Sequence, residues 1–84
     1  MSVKLFWRDG CPRCPEAKRL GAALEQAGVE VKCYDIDTVD GLAESCLYEV
    51  MALPTLVAAD DQGGEIHSWR GTVPRLEEVQ AYLK

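Results

Sequence analysis

Two cysteines three positions apart stand where a strand pattern ends and a helix pattern begins. The segment Cys11-Pro12-Arg13-Cys14 follows the strand-like run 3–7 and leads into a stretch with helical spacing. At a helix N-terminus, the partial positive charge and unpaired backbone N–H groups stabilise an anionic sulfur and lower its pKa. The second thiol, one turn on, is close enough to form a short disulfide with the first. The motif therefore predicts a dithiol–disulfide redox protein.

Hydrophobic spacing predicts the elements of the N-terminal half. Residues 2–7 are predicted to form a strand. Apolar residues recur at three- and four-residue steps over 12–28, which predicts a helix that stops at the glycine ending this range. Alternation over 29–34 predicts a second strand, and Asp37 or Thr38 is expected to cap a second helix. The apolar face of that second helix is expected to hold Val39, Ala43, Cys46, Leu47 and Val50.

The C-terminal half is predicted to contain a hairpin followed by a helix. Residues 54–59 are almost continuously apolar, which is typical of a strand covered on both faces. Residues 60–64 predict a tight turn, and 65–70 a more polar strand. The last segment, 72–84, carries Leu76, Val79, Tyr82 and Leu83 at helical spacing. The prediction is an α/β fold of order β-α-β-α-β-β-α, with a right-handed parallel βαβ unit, a four-stranded mixed sheet and helices on both faces.

Composition and charge narrow the class of protein. The chain has 84 residues, of which 48% are hydrophobic, enough for one domain over 1–84 with a compact core. The net charge of -5 argues against nucleic acid or an anionic membrane as a partner. No apolar run approaches the roughly 20 residues that span a bilayer. The N-terminal residues lack a signal-peptide layout, so a cytoplasmic location is expected, and the acidic surface favours a monomer.

The element order and two short motifs resemble a known superfamily over essentially the whole chain. A Cys-Pro-x-Cys at the start of the first helix and Leu53-Pro54-Thr55 before the third strand are similar to the thioredoxin/glutaredoxin superfamily. The resemblance implies a minimal thioredoxin fold in which the bond before Pro54 is cis and this proline lies against the two sulfurs. It also implies that the backbone of Leu53 pairs with an extended substrate. From the residues alone, Pro54 is also compatible with an ordinary strand-start proline.

Helical phase assigns different roles to the two thiols. Cys14 falls on the same stripe as Ala17 and Leu24, so its sulfur is expected to point inward, whereas Cys11 is expected at the exposed helix tip. We therefore predict that Cys11 is the catalytic nucleophile, which forms a mixed disulfide with the target, and that Cys14 resolves it. A purely structural disulfide and half of a zinc site are the alternative interpretations of the motif.

Three residues near the cysteines are predicted to contribute to substrate binding, together with the segment 53–55. Pro12 has no N–H and a fixed φ, so it suits the first helical turn. Arg13 is a cation that favours the thiolate. This predicts a couple more oxidising than the roughly -270 mV of thioredoxin, toward the roughly -200 to -230 mV of glutaredoxins. Arg8 stands where many glutaredoxins carry a lysine that binds a glutathione carboxylate.

The other two cysteines, Cys33 and Cys46, are expected to be buried as small apolar side chains. One lies on the apolar side of a predicted strand and the other on the apolar face of a predicted helix. Their spacing from the motif does not form two Cys-x-x-Cys pairs, so no metal site is predicted.

This chain carries only some of the motifs that are typical of either branch of the superfamily. The Thr-Val-Pro of glutaredoxins is Ala52-Leu53-Pro54 here, which puts glutathione binding in doubt. The buried aspartate of thioredoxins falls on Leu5, so Asp9 or a water would have to deprotonate Cys14. The remaining features resemble the small glutaredoxin-like thioredoxins, which are usually reduced by a thioredoxin reductase.

Three functions remain open from the sequence. The first is a protein disulfide reductase without a bound cofactor, which carries electrons from a thioredoxin reductase to disulfide-containing protein substrates. The second is a glutaredoxin that takes its electrons from glutathione. The third is a binding module in which Cys11 helps to hold an iron–sulfur cluster or a metal ion between two chains.

Overall fold

The computed structural model describes residues 1–83, which are built around a four-stranded sheet in the order β2-β1-β3-β4. Strands β1 and β2 are parallel, whereas β3 is antiparallel to both β1 and β4. The predicted element order and the mixed sheet are therefore confirmed. The elements are β1 (Ser2–Trp7), α1 (Cys14–Gln26), β2 (Glu30–Asp35), α2 (Val39–Leu47), β3 (Thr55–Ala59), β4 (Glu65–Arg70) and α3 (Leu76–Ala81).

The two faces of the sheet belong to two separate apolar cores. Successive side chains of a strand point to opposite faces. Leu5 lies in the core that α1 and α3 cover, and Phe6 lies in the core that α2 covers. All five residues of β3 are buried, as the continuous apolar pattern predicts. Helices therefore cover both faces, as expected. No helix within residues 1–83 is long and apolar enough to cross a membrane.

Helix α1 begins two residues later than the pattern predicts. Pro12 and Arg13 form a turn before the helix, in which the N–H of Cys14 donates to the carbonyl of Cys11 at 3.3 Å. The proline in the first helical turn is therefore Pro15, and the expectation for Pro12 was wrong. Proline at both positions costs no helical hydrogen bond, because the first N–H groups of a helix have no partner within it. The helix ends before Gly28, whose φ of 90° suits glycine.

Helix α2 is oriented opposite to the prediction. Its expected apolar face is mostly exposed, and its buried helical residues are Gly41 and Ser45. At Gly41, an added Cβ would overlap the backbone carbonyl of Asp35, so only glycine allows this approach. The helix therefore approaches the sheet through small residues, and Tyr48, which follows its last turn, packs against Phe6 in the core. The outward residues of the predicted face are Val39, Ala43, Cys46 and Leu47, and Val50 is half-buried beyond the helix.

The ion pair under α2 joins this helix to the central strand. Lys4 Nζ lies 2.8 Å from a carboxylate oxygen of Glu44 and 4.8 Å from the centre of the Tyr48 ring. Partial burial acts to lower the pKa of Lys4, but the hydrogen bonds to Glu44 and Tyr48 outweigh it and raise that pKa. The lysine therefore stays charged, and the inner side of α2 needs a polar partner.

The C-terminal helix is shorter than the predicted 72–84. Helix α3 begins at Leu76, after the extended Arg75 and the buried Pro74. It ends at Ala81, so Tyr82 and Leu83 follow the helix. Residue 84 lies outside the described residues.

The predicted cap of α2 gives a direct test of this fold. Thr38 Oγ1 accepts from the N–H of Gly41 at 3.0 Å and donates to the carbonyl of Asp35 at 2.7 Å. We expect Thr38→Ala to lower the free energy of unfolding by about 1–2 kcal/mol, measured by urea denaturation of the oxidised protein. Thr72→Ala is the matched control, since Thr72 is exposed. Equal losses in the two variants would contradict the capping role.

Candidate functional site

Cys11 and Cys14 form a disulfide immediately before and at the start of α1. Their Cα atoms are 5.3 Å apart, and the turn of Pro12 and Arg13 brings the two sulfurs together. Cys14 is 2% exposed, whereas Cys11 is only partly buried. An incoming group therefore reaches the sulfur of Cys11 first.

The sheet brings the proline turn to the same end as the disulfide. Phe6 pairs with Thr55 in the antiparallel β1–β3 ladder, so Trp7 and Pro54 are neighbours where β1 ends and β3 begins. The chain leaves Trp7 directly toward Cys11. The peptide bond between Leu53 and Pro54 is cis, as the resemblance implies. The dithiol and the proline turn thus lie at the same end of the sheet, although about forty residues separate them in the sequence.

Hydrogen bonds from two sides hold the proline turn. Thr55 Oγ1 donates to the carbonyl of Ala52 at 2.7 Å, and the N–H of Gly71 donates to the carbonyl of Pro54 at 2.8 Å. Thr55 is fully buried, so its hydroxyl shapes the turn and does not face an incoming substrate. Ala52 is exposed and Leu53 half-buried, so this part of the turn lies at the protein surface.

Gly71 is a site residue that the sequence analysis did not assign. Its φ is 73°, and a Cβ built on it would lie 3.3 Å from the Cβ of Ala52. A side chain at Gly71 would be strained and would press on the proline turn. The available signal was a glycine placed directly after the strand that ends at Arg70.

The interior beneath the disulfide is apolar. Leu5, at the position where thioredoxins carry a buried aspartate, is fully buried together with Ala17 and Leu24. Among residues 1–83, the only buried polar or charged side chains are those of Ser45 and Thr55. No buried carboxylate is therefore present to accept the proton of a Cys14 thiol in the part of the chain that the structure describes.

Both arginines predicted to act at the site are already paired. Arg8 donates to a carboxylate oxygen of Asp37 at 2.8 Å, and this hydrogen bond raises the pKa of the arginine. Arg13 lies 3.5 Å from a carboxylate oxygen of Glu16. These exposed pairs contribute little stability. They do reduce the positive charge that either arginine offers to a thiolate or to an anionic substrate.

Trp7 and Lys18 form a contact at the same end of the sheet as the disulfide. The sequence analysis did not predict this pair. Lys18 Nζ lies 3.2 Å from the centre of the Trp7 ring, a cation–π contact between α1 and the end of β1. Lys18 follows Cys14 by one helical turn, so this contact flanks the disulfide.

Cys33 and Cys46 are both exposed, so the expectation that they are buried was wrong. Cys33 lies on the edge strand β2 opposite Leu5, on the face that α1 covers. Cys46 lies on α2, which covers the other face, so the sheet separates the two thiols. Across residues 1–83, no group of three or more histidine, cysteine or acidic side chains is placed to hold a metal ion.

Partial burial beside α1 gives Cys33 a testable acidity. This burial raises the pKa of the thiol, and the negative charge of Glu25 raises it further. In the oxidised Cys46→Ser variant, alkylation of Cys33 by iodoacetamide should therefore reach its half-maximal rate at a higher pH in the folded protein than in urea. Since the folded state holds this proton more tightly, the thiol also weakens stability as the pH rises through its unfolded pKa. A lower midpoint in the folded protein would contradict the burial effect.

Comparisons with known proteins agree with this geometry. The family model described as Thioredoxin domain matches residues 1–84, and no curated protein matches the chain. Thioredoxin 1 from Thermosipho africanus is similar, with a TM-score of 0.76 and 17% identity over 99% of this chain and 90% of that one. An uncharacterised thioredoxin-like protein from Clostridium perfringens gives a TM-score of 0.80, with 19% identity over 98% of this chain and 67% of that one. A thio-disulfide isomerase from Thermus thermophilus gives a TM-score of 0.67, with 19% identity over 98% of this chain and 76% of that one. At these identities, the likeness to the solved structures concerns the fold alone.

Proposed function

Because this chain belongs to the thioredoxin-domain family and is a thiol–disulfide oxidoreductase, we propose that it is a protein disulfide reductase of the small glutaredoxin-like thioredoxin type. The observation that carries the proposal is the unequal exposure of the paired cysteines. Cys11 is accessible at the end of the sheet where β1 ends, while Cys14 is only 2% exposed. Attack on a target requires an accessible sulfur, and resolution requires a second sulfur that is sheltered but within reach.

The reaction begins with the dithiol reduced. The thiolate of Cys11 attacks one sulfur of the target disulfide, forms a mixed disulfide and expels the other target sulfur as a thiolate, which takes up a proton. Cys14 then loses its proton and attacks the sulfur of Cys11. The second target sulfur leaves as a thiol, and the Cys11–Cys14 disulfide re-forms. Two electrons pass to the target, and a reductase must return two electrons to the protein.

The apolar surroundings of Cys14 bear on the resolving step. Burial disfavours the charged form of a thiol, and no buried carboxylate lies among the described residues to take its proton. Proton transfer to the exposed Asp9 or to water is the route that these residues leave. The proton then departs through the open side of the site, beside Cys11.

The proline turn is proposed to position the target. Ala52 and Leu53 lie at the surface, at the end of the sheet where Cys11 lies. The hydrogen bonds from Thr55 and Gly71 hold this turn in place. An extended target segment can pair with this backbone as an added strand pairs with a sheet edge. Pairing of this kind reads main chain rather than side chains, which suits a carrier that serves several targets.

Trapping tests the roles of the two cysteines. In a Cys33→Ser/Cys46→Ser background, which removes the exposed thiols, we expect reduced Cys14→Ser to accumulate a mixed disulfide with insulin through position 11. A hydroxyl at position 14 cannot attack the mixed disulfide, so the intermediate persists on a non-reducing gel. Cys11→Ser should neither form the adduct nor reduce insulin. If Cys11→Ser still reduced insulin, the assignment of the nucleophile would be wrong.

The electron donor is proposed to be a thioredoxin reductase rather than glutathione. Arg8, the residue that would bind a glutathione carboxylate, is already hydrogen-bonded to Asp37. Glutathione would have to displace this partner, and the Thr-Val-Pro of glutaredoxins is replaced by Ala52-Leu53-Pro54.

A coupled assay separates the two donors. With NADPH and a thioredoxin reductase, we expect steady reduction of insulin, whereas NADPH with glutathione and glutathione reductase should support at least tenfold less. Asp37→Asn serves as the matched probe, since it removes the negative charge that pairs with Arg8 without changing the size of the side chain. Strong turnover with glutathione that rises further in Asp37→Asn would instead make this protein a glutaredoxin.

A further inference from the structure

The outer face of α2 exposes apolar side chains that the proposed redox chemistry does not use. Val39 is 85% exposed, Leu47 is 68% exposed and Met51 is 92% exposed. Contiguous apolar surface on a small protein marks sites of contact with other molecules. We name this surface the α2 strip, and its members are Val39, Leu42, Ala43, Cys46, Leu47 and Met51.

The α2 strip is one face of a helix whose orientation is fixed by contacts with the sheet. Its helical members recur at steps of three and four residues, so they share one face, and the exposed Met51 follows four residues after the helix ends. The opposite face is fixed to the sheet by Gly41, Ser45 and the pair of Glu44 with Lys4. Rotating the helix to bury the strip would break that ion pair and drive a side chain into the space that only Gly41 fits. The strip therefore stays outward in the folded protein.

The N-terminal end of the α2 strip lies next to the segment that carries the dithiol. At one end, Asp37 lies two residues before Val39 and holds Arg8, whose carbonyl accepts the N–H of Cys11 at 3.4 Å. At the other end, Met51 directly precedes the turn of residues 52–54. A molecule lying on the strip would thus extend toward the sulfur of Cys11.

Size and charge decide which occupant the strip suits. A nine-residue helix is about 13 Å long and about 10 Å wide, so the strip offers on the order of a few hundred Å². Stable dimers need about 800 Å² from each partner, whereas transient redox encounters bury less. The exposed Asp40 and Glu49 border the strip, and the chain carries a net charge of -5, so two copies would repel. A transient partner with an apolar surface and basic groups at its rim fits both properties.

We propose that the α2 strip is the docking surface for the target protein whose disulfide Cys11 attacks. This inference rests on the proposed function and names the chemistry of its target: an apolar surface flanked by basic groups, next to the reducible disulfide. Docking on the strip raises the local concentration of that disulfide beside Cys11 without altering the dithiol itself.

Single-turnover kinetics test this surface. The parent for all variants is the pre-reduced Cys33→Ser/Cys46→Ser protein, which lacks the two exposed thiols. It is mixed with insulin or with the small disulfide 5,5′-dithiobis(2-nitrobenzoate), so that no reductase takes part. We expect Leu42→Gln/Leu47→Gln to lower the second-order rate with insulin at least tenfold and to leave the rate with the small disulfide within twofold. Ile66→Gln is the control, because Ile66 is an exposed apolar side chain on β4 outside the strip. It should leave both rates unchanged.

The remaining outcomes each overturn one idea. Unchanged insulin rates in the double variant would exclude docking on the strip, and equal losses with both substrates would show that the substitutions act through the dithiol. Sedimentation of the wild type decides the occupant, since a dimer that the double variant abolishes would assign the strip to a second copy. If the Cys33→Ser/Cys46→Ser parent failed to reduce the small disulfide, the proposed function itself would be refuted, independently of the strip.

Discussion

The antiparallel pairing of β1 with β3 is the constraint on which the rest of the structure depends. β1 lies between β2 and β3, and its side chains alternate between two cores. A slip of one residue would exchange the two faces and place the charged Lys4 in the apolar core that holds Leu5, away from its partner Glu44. Burial of an ammonium without its partner costs on the order of several kcal/mol, which is a large part of the stability of a domain this small. This register also places Cys11 and the proline turn at the same end of the sheet, because Phe6 pairs with Thr55.

Charged contacts fix the orientation of α2 on a sheet that the strand pairing has already established. The pair of Lys4 and Glu44 fixes how α2 sits on the sheet, since both groups are mostly withdrawn from water and each needs the other. Arg70 donates to the backbone carbonyls of Tyr48 and Glu49 and so ties the end of α2 to β4. These contacts hold α2 with its apolar side outward. The same orientation that stabilises the fold thereby leaves a surface available for a partner.

Sequence patterns predicted the sheet better than the helices. The bounds of β1 and β4 were predicted correctly, because a strand is defined by its own alternation and by the turns beside it. The cap at Thr38 was one of two residues proposed, since both Asp37 and Thr38 carry a side-chain oxygen that can accept from the first N–H groups of the helix. The orientation of α2 was predicted wrongly. Periodicity shows that apolar residues share a face, but it does not show whether that face meets the sheet.

By itself, the sequence determined the chemistry and the order of the elements. The spacing of Cys11 and Cys14 fixes a disulfide loop of short span, and the alternation of strand and helix patterns leaves few topologies. Only the tertiary structure decided what surrounds that chemistry: the pairing of Arg8 with Asp37, the exposure of Cys33 and the outward face of α2. Each of these depends on contacts between segments distant in the chain, whose free energy is set by packing and solvent exclusion that no local pattern encodes.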